Sequence, residues 1–209
     1  MRGRIDPRST PPGRTRPRIT PVSWILTLGY ASCAQAHILA GETIGFWSGF
    51  RHPVSGLDHI VAMVSVGLWG AQLGKPAIWA LPVTFPLVMA VGGFLGLVGV
   101  PLPGVEIGIA ASAILLGAAV LCEARPPLPL AAALVGVFAI FHGYAHGAEL
   151  PPGDSALLYS LGFIVATGLL HGCGITVGLM HRWPWGRRLL RVTGAGVLAT
   201  GSMFLWKAL

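Results

Sequence analysis

The chain has 209 residues, of which 54% are hydrophobic and only 10% are charged. A soluble domain carries about 25% charged residues, so a chain this apolar cannot cover its own surface in water. The formal net charge of +7 comes mainly from arginines in the first 18 residues, and no basic face within a folded domain is visible. The composition therefore predicts an integral membrane protein and argues against a nucleic-acid-binding protein.

The basic N-terminal stretch leads into an apolar run over residues 22–33 and then into Ala34-Gln35-Ala36. A basic region, an apolar region and an A-x-A pattern in this order are typical of a cleaved secretory signal peptide. We therefore predict a signal peptide over residues 1–36 and one membrane domain over residues 37–209. The alternative is that the apolar run is an uncleaved first membrane helix.

Six apolar segments follow, each about the length that a helix needs to cross a bilayer. Proline and glycine occupy the short breaks between them, where these residues end helices. Open strand edges cannot face lipid, so helices are the secondary structure that fits such segments. The sequence predicts an all-α membrane protein, a compact bundle of six transmembrane helices. The segments cover residues 54–73, 77–100, 104–122, 128–148, 155–180 and 189–206.

The positions of lysine and arginine indicate how this bundle is oriented. If the mature N-terminus lies outside, six basic residues fall on the inner side and only Arg51 and Lys207 on the outer side. This distribution agrees with the positive-inside rule, so we expect the mature N-terminus on the outer side of the membrane. The six inner residues are Lys75, Arg125, Arg182, Arg187, Arg188 and Arg191.

Pairs of glycines four residues apart recur in the apolar segments and predict close helix packing. Two cysteines, Cys122 and Cys173, lie in apolar segments and are expected to be core residues without a disulfide. The glycine pairs are Gly92/Gly96, Gly143/Gly147, Gly168/Gly172 and Gly174/Gly178.

Ionisable side chains at membrane depth are costly, and here they form clusters. The first cluster contains His52, Asp58 and His59. Pro53 suits the first turn of a helix, and on that helix we expect His52 and His59 to share a face because they are seven residues apart. Asp58 could bind a metal itself or orient a histidine through its second ring nitrogen. Met63 is expected in the core rather than as a thioether ligand.

The second cluster contains His142, His146 and Glu149. The spacings of four and three residues place all three side chains on one stripe of a helix. Two imidazoles and a carboxylate on such a stripe are suitable ligands for a borderline divalent cation. The sequence therefore predicts a metal site here, and under the topology above it lies toward the outer half of the membrane.

Three further residues have two interpretations each. Glu106, at the start of the third segment, is either a ligand near the outer mouth or an interfacial carboxylate in water. His171, in the middle of the fifth segment, is either a deeper ligand or a helix-to-helix hydrogen bond. His37 would become the first residue after cleavage, where its amine and imidazole could capture an ion together, or it merely follows the cleavage site.

At the level of motifs, the sequence resembles the HupE/UreJ family of bacterial nickel permeases and hydrogenase or urease accessory membrane proteins. The resemblance rests on two signatures, His52-Pro-x-x-Gly-x-Asp-His-x-x-x-Met-x-x-Val-Gly67 and Phe141-His-Gly-x-Ala-His-Gly-x-Glu149. One departure is Gly70, where the resemblance implies alanine. The resemblance also implies a functional role for Phe85, and functional polar roles for His52, Asp58, His59, Glu106, His146 and Glu149.

Residue types alone predict only a divalent transition metal, because nickel, cobalt and zinc all accept imidazole and carboxylate ligands. The resemblance implies a secondary permease for Ni²⁺, with Co²⁺ as a second candidate, that supplies hydrogenase or urease. It also implies that the protein is not an enzyme and holds no permanent cofactor. No ATP-binding pattern of the P-loop type is present. Two alternatives are an intramembrane zinc hydrolase and a metal-delivery partner, although the short inner loops offer little docking surface.

Overall fold

A computed structural model of the chain describes residues 45–149 and 155–209. Within these ranges the chain forms seven α-helices, one short 3₁₀ helix and no strand, which confirms the predicted helical class. The predicted signal peptide and His37 lie outside the described residues. The helices are α1 (Phe46–Ser55), α2 (Leu57–Leu73), α3 (Ala77–Leu97), α4 (Val105–Leu121), α5 (Leu128–Ala148), α6 (Ala156–Gly178), the 3₁₀ helix (Leu179–Arg182) and α7 (Pro184–Ala208).

Four of these helices are long and apolar enough to cross a bilayer: α3, α5, α6 with its 3₁₀ extension, and α7. The bent pair of α1 and α2 would add a fifth crossing if it is one broken span. Helix α4 is apolar but has only 17 residues, fewer than the roughly 20 that a helix needs to cross the hydrocarbon core. Among the described residues, length and composition therefore support four to five spans, fewer than the six predicted.

The first predicted segment is not one continuous helix. Helix α1 ends at Ser55, Gly56 is extended, and α2 starts at Leu57 at an angle of 82° to α1. Pro53 lies inside α1 rather than in the first turn of a helix. The expectation that His52 and His59 share one helical face is therefore wrong, because the two residues belong to different helices.

Helices α3 and α5 form the most extensive helix pair, and glycines set their separation. A Cβ at Gly92 would overlap the carbonyl oxygen of Ile140, and a Cβ at Gly143 would overlap that of Met89. The two backbones are therefore in direct contact, as the glycine spacing predicts. Gly96 and Gly147 make equivalent approaches to the opposite helix.

The other predicted small residues divide between the core and the lipid-facing surface. Gly174 and Gly178 pack against α2, which agrees with the expectation for that pair. Gly168 and Gly172 are exposed with open space around them, so the prediction of close packing there is wrong. Cys122 and Cys173 are exposed free thiols rather than core residues. Their apolar surroundings in the sequence indicate membrane depth but do not show whether a side chain faces lipid or protein.

Side chains of α2 bind the far end of α4. Trp69 donates from Nε1 to the carbonyl oxygen of Ala124 at 2.9 Å, and Gln72 donates from Nε2 to that of Val120 at 3.2 Å. Beside them, Arg191 of α7 donates from Nε to Glu123 Oε1 at 3.0 Å. The ends of three helices are thus joined by hydrogen bonds at this side of the bundle.

Candidate metal centre

Three imidazoles from three helices meet at the other end of the bundle. One nitrogen from each of His52, His59 and His146 lies within 4.8 Å of the other two. The ring centroid of His146 is 4.6 Å from that of His52 and 4.6 Å from that of His59. We call these three residues the histidine cluster. Imidazoles at this spacing form a site suited to a borderline divalent metal ion.

The local folding explains why these three residues meet. His52 lies in the last turn of α1 and His146 in the last turn of α5. Unpaired carbonyl groups give the C-terminal end of a helix a partial negative charge, which favours a cation. The bend at Gly56 then places His59, at the start of α2, against both. His59 and His146 are 6% and 8% exposed, so the site is largely removed from water.

Within the histidine cluster, His59 Nε2 and His146 Nε2 are 2.7 Å apart. Two nitrogen lone pairs facing each other at this distance repel, so the contact needs a shared proton or cation. On its other edge, His59 Nδ1 lies 2.9 Å from Asp58 Oδ1, although without the alignment of a linear hydrogen bond. The carboxylate favours a proton on Nδ1 and leaves Nε2 available as a ligand, as in carboxylate–histidine–metal arrangements.

Gly56 allows Asp58 and His59 to approach the turn between α1 and α2. A Cβ at Gly56 would lie 2.8 Å from Asp58 Oδ1 and 2.8 Å from His59 Nδ1, closer than such atoms can approach. We expect Gly56→Ala to displace both side chains and to lower the affinity of the site for a divalent transition metal, with Ni²⁺ as the test ion, by at least about tenfold, as loss of an outer-shell partner does. Calorimetric titration of the purified protein measures this change.

Gly168→Ala is the matched control. Gly168 lies in α6, and a Cβ added there would have nothing within 4 Å. Its Ni²⁺ affinity should equal that of the wild type. Equal affinities for Gly56→Ala and Gly168→Ala would contradict the role given to the turn.

His142 lies one turn before His146 on α5 and is fully buried. Its ring centroid is 5.6 Å from that of His59, and its Nε2 lies 3.0 Å from Ser112 Oγ of α4. Its Nδ1 is buried without a hydrogen-bond partner among the described residues. The structure therefore places His142 directly behind the histidine cluster, on the side facing the middle of the bundle.

Phe85 and His171 continue this line of rings. Phe85 is fully buried, with ring centroids 5.7 Å from His142 and 5.5 Å from His171. His171 is 2% exposed, and its Nε2 has no hydrogen-bond partner among the described residues. A helix-to-helix hydrogen bond through Nε2 is therefore not formed. Met63 is a buried member of the hydrophobic core, as expected.

Aromatic side chains of α6 form a wall of the histidine cluster that the sequence analysis did not identify. The ring of Phe163 is centred 4.5 Å from that of His146, and the ring of Tyr159 is centred 6.2 Å from that of His52. His146, Tyr159 and Phe163 also line a cleft of about 250 Å³ between α3, α5 and α6. These aromatics keep the cluster apolar on one side, which strengthens electrostatic interactions with a bound ion.

The predicted glutamates lie at helix ends near the surface. Glu106 is in the first turn of α4 and Glu149 is the C-terminal capping residue of α5, and both are exposed. Among the described residues the group within metal-binding distance contains three histidines and neither glutamate.

Ser112, which contacts His142, is a further polar residue near the site that sequence reasoning missed. A serine in an alanine-rich helix gives no sign of its partner.

This fold and this site define a multi-pass membrane protein of apolar helices in which a largely buried cluster of three imidazoles is suited to a metal ion. Comparison of sequences agrees: the chain matches the HupE / UreJ protein family over residues 25–204 and belongs to that family. It is 42% identical to Protein HupE of Rhizobium leguminosarum bv. viciae over 181 residues, which cover 87% of this chain and 94% of the relative. No solved structure matches the chain significantly. HupE/UreJ is a transporter and accessory family rather than an enzyme family, so the zinc hydrolase alternative is not supported.

Proposed function

We propose that the chain is a secondary permease that carries Ni²⁺, with Co²⁺ as a second candidate ion, from the periplasm to the cytoplasm across the bacterial inner membrane. The observation that carries the proposal is the histidine cluster, three imidazoles from α1, α2 and α5 within 4.8 Å at one end of an apolar bundle. Neutral imidazole suits nickel and cobalt, whereas hard cations such as Mg²⁺ prefer oxygen ligands. Family membership favours nickel and a link to hydrogenase or urease.

The acidic residues have roles around this cluster. Asp58 contacts His59 and orients it, as its 2.9 Å separation supports. Glu106 and Glu149 are exposed at the same end of the bundle, where carboxylates attract cations from solution before they reach the histidines. His37 would add a capture site there if cleavage after Ala36 makes it the N-terminal residue.

The inward path runs along buried rings. From the histidine cluster the ion passes to His142 and then past Phe85 to His171, each ring centred 5.5 to 5.7 Å from the next. Phe85 is apolar and fully buried, so it separates the two histidines and prevents a continuous polar leak. Movement of this ring admits the ion to His171, whose Nε2 has no hydrogen-bond partner among the described residues.

For topology we propose six crossings, with α1 and α2 as one broken span and α4 as a short span. The histidine cluster then faces the periplasm, and the arginine-rich start of α7 faces the cytoplasm. A C-terminal alkaline-phosphatase fusion is expected to be active, and a fluorescent fusion that matures only in the cytoplasm is expected to be dark. Fusions after Arg125 should give the reverse pattern, and the same pattern at both positions would contradict the topology.

Nickel uptake by reconstituted vesicles tests the function itself. Liposomes that contain the purified chain and a trapped nickel-sensitive dye should report entry of Ni²⁺, with inhibition by Co²⁺ and no inhibition by Mg²⁺. Protein-free liposomes give the background rate. Entry at the background rate with correctly folded protein would contradict transport, and a metal that remains bound through purification would indicate a fixed site instead.

A further inference from the structure

Ser112 is a buried polar residue in the middle of the apolar helix α4, and it makes two contacts. Its hydroxyl oxygen is 2.6 Å from the carbonyl oxygen of Ile109 on the preceding turn and 3.0 Å from Nε2 of His142 on α5. Both Ser112 and His142 are fully buried. The serine therefore links the backbone of one helix to an imidazole of another, without access to water.

The hydroxyl has a single hydrogen, and the geometry determines where it goes. Two oxygen atoms 2.6 Å apart need a hydrogen between them, and the carbonyl oxygen of Ile109 can only accept. The Ser112 hydroxyl must therefore donate to Ile109, a back-bond that serine commonly forms within helices. Its contact with His142 is then possible only if Nε2 carries a hydrogen and donates it to Ser112 Oγ.

This assignment fixes the other edge of the His142 ring. A neutral imidazole with a hydrogen on Nε2 has a lone pair on Nδ1. That Nδ1 is buried with no hydrogen-bond partner among the described residues. A buried polar atom without a partner is costly, and its presence indicates a functional role. The ring centroid of His142 is 5.6 Å from that of His59, so the residue that carries this lone pair lies next to the histidine cluster.

We propose that Ser112 is a positioning residue that holds His142 in the tautomer with a free Nδ1, and that this Nδ1 receives the ion from the histidine cluster. The inference rests on the proposed transport function. It also explains a difference between the two histidines of α5. His146 faces His59 with Nε2, whereas the Nε2 of His142 is engaged by Ser112 and only Nδ1 is free.

The test compares Ser112→Ala with the wild type in nickel uptake by membrane vesicles and in calorimetric Ni²⁺ binding. Without the serine the His142 tautomer is no longer fixed, so the maximal uptake rate should fall by about tenfold, as for other outer-shell partners. Ni²⁺ affinity should change little, because the histidine cluster is intact. A maximal rate equal to that of the wild type would overturn the proposal.

Two substitutions of His142 identify the working nitrogen while leaving Ser112 in place. The amide group of His142→Asn occupies the position of Nδ1, whereas that of His142→Gln occupies the position of Nε2. His142→Asn should therefore retain more uptake than His142→Gln. Equal uptake, or more uptake in His142→Gln, would overturn the proposal. If melting curves show that Ser112→Ala does not fold, the two His142 variants still test the proposal.

Nitrogen NMR of histidine-labelled protein tests the tautomer without reference to transport. The wild type should show a protonated Nε2 and a bare Nδ1 at His142, and Ser112→Ala should show a mixture of the two tautomers. A protonated Nδ1 in the wild type would overturn the inference. Failure of the proposed function looks different, because the wild type itself would then carry no nickel.

Discussion

Replacing His146 with alanine is expected to abolish nickel uptake while leaving the protein folded in the membrane. His146 contacts both other members of the histidine cluster, and its Nε2 lies 2.7 Å from that of His59. Its removal leaves two imidazoles on the bent segment with no third ligand from α5. We expect Ni²⁺ affinity to fall by more than about 100-fold, beyond the loss typical of an outer-shell partner. Calorimetry and uptake in membrane vesicles measure the two effects.

His181→Ala is a matched control, since it removes an imidazole at the opposite end of the bundle. His181 lies in the 3₁₀ helix, where its Nδ1 is 3.0 Å from the carbonyl oxygen of Gly178. Its uptake should equal that of the wild type. Uptake by His146→Ala at the rate of His181→Ala, in a protein with an unchanged melting temperature, would show that the histidine cluster does not carry the ion.

The second large effect is on stability. Gly143→Val is expected to disrupt the pairing of α3 and α5, because even the first carbon of the new side chain overlaps the carbonyl oxygen of Met89. The helices must separate, and overpacking of this kind lowers the free energy of unfolding by about 3 kcal/mol. We expect a large fall in melting temperature and in the yield of monodisperse protein. Both are measured on protein purified in detergent.

Gly168→Val controls for the intrinsic effect of valine in a membrane helix. Gly168 faces open space on α6, so the added side chain meets no neighbouring backbone. Its melting temperature should remain close to that of the wild type. Similar melting temperatures for the two variants would mean that the close approach of α3 and α5 contributes little to stability.

The sequence predicted helices well because apolar length and proline-bounded breaks are local properties. Helix α5 occupies Leu128–Ala148, the same bounds as the predicted segment 128–148. The break at Gly56 was not predicted, because glycine is common inside membrane helices and nothing local requires it to be extended. The bend brings His59 against His146 of α5, a contact between distant parts of the chain that no sequence window contains.

The candidate site also has a part that the sequence predicts and a part that depends on tertiary packing. His52, His59 and His146 were each identified from the sequence, since an imidazole at membrane depth is conspicuous. Their assembly was misread, because the seven-residue spacing is typical of one helical face, whereas an 82° bend between two helices brings the rings of His52 and His59 to 5.3 Å between centroids. Ser112 and Phe163 were missed because hydroxyl and aromatic residues are ordinary in apolar helices. Only the packing of α4, α5 and α6 gives them a role.

The hydrogen bonds from Trp69 and Gln72 to the end of α4 explain how a short helix can be stable in a bilayer. The 17 residues of α4, at about 1.5 Å per residue, span less than the roughly 30 Å of a hydrocarbon core. A helix that ends early leaves its last carbonyl groups in a medium without water, where each unsatisfied group costs several kcal/mol. The indole and the amide act as substitute solvent for Val120 and Ala124. The bundle can therefore be thinner at α4 than the membrane around it, and in the proposed permease this would shorten the dry distance that an ion must cross beside that helix.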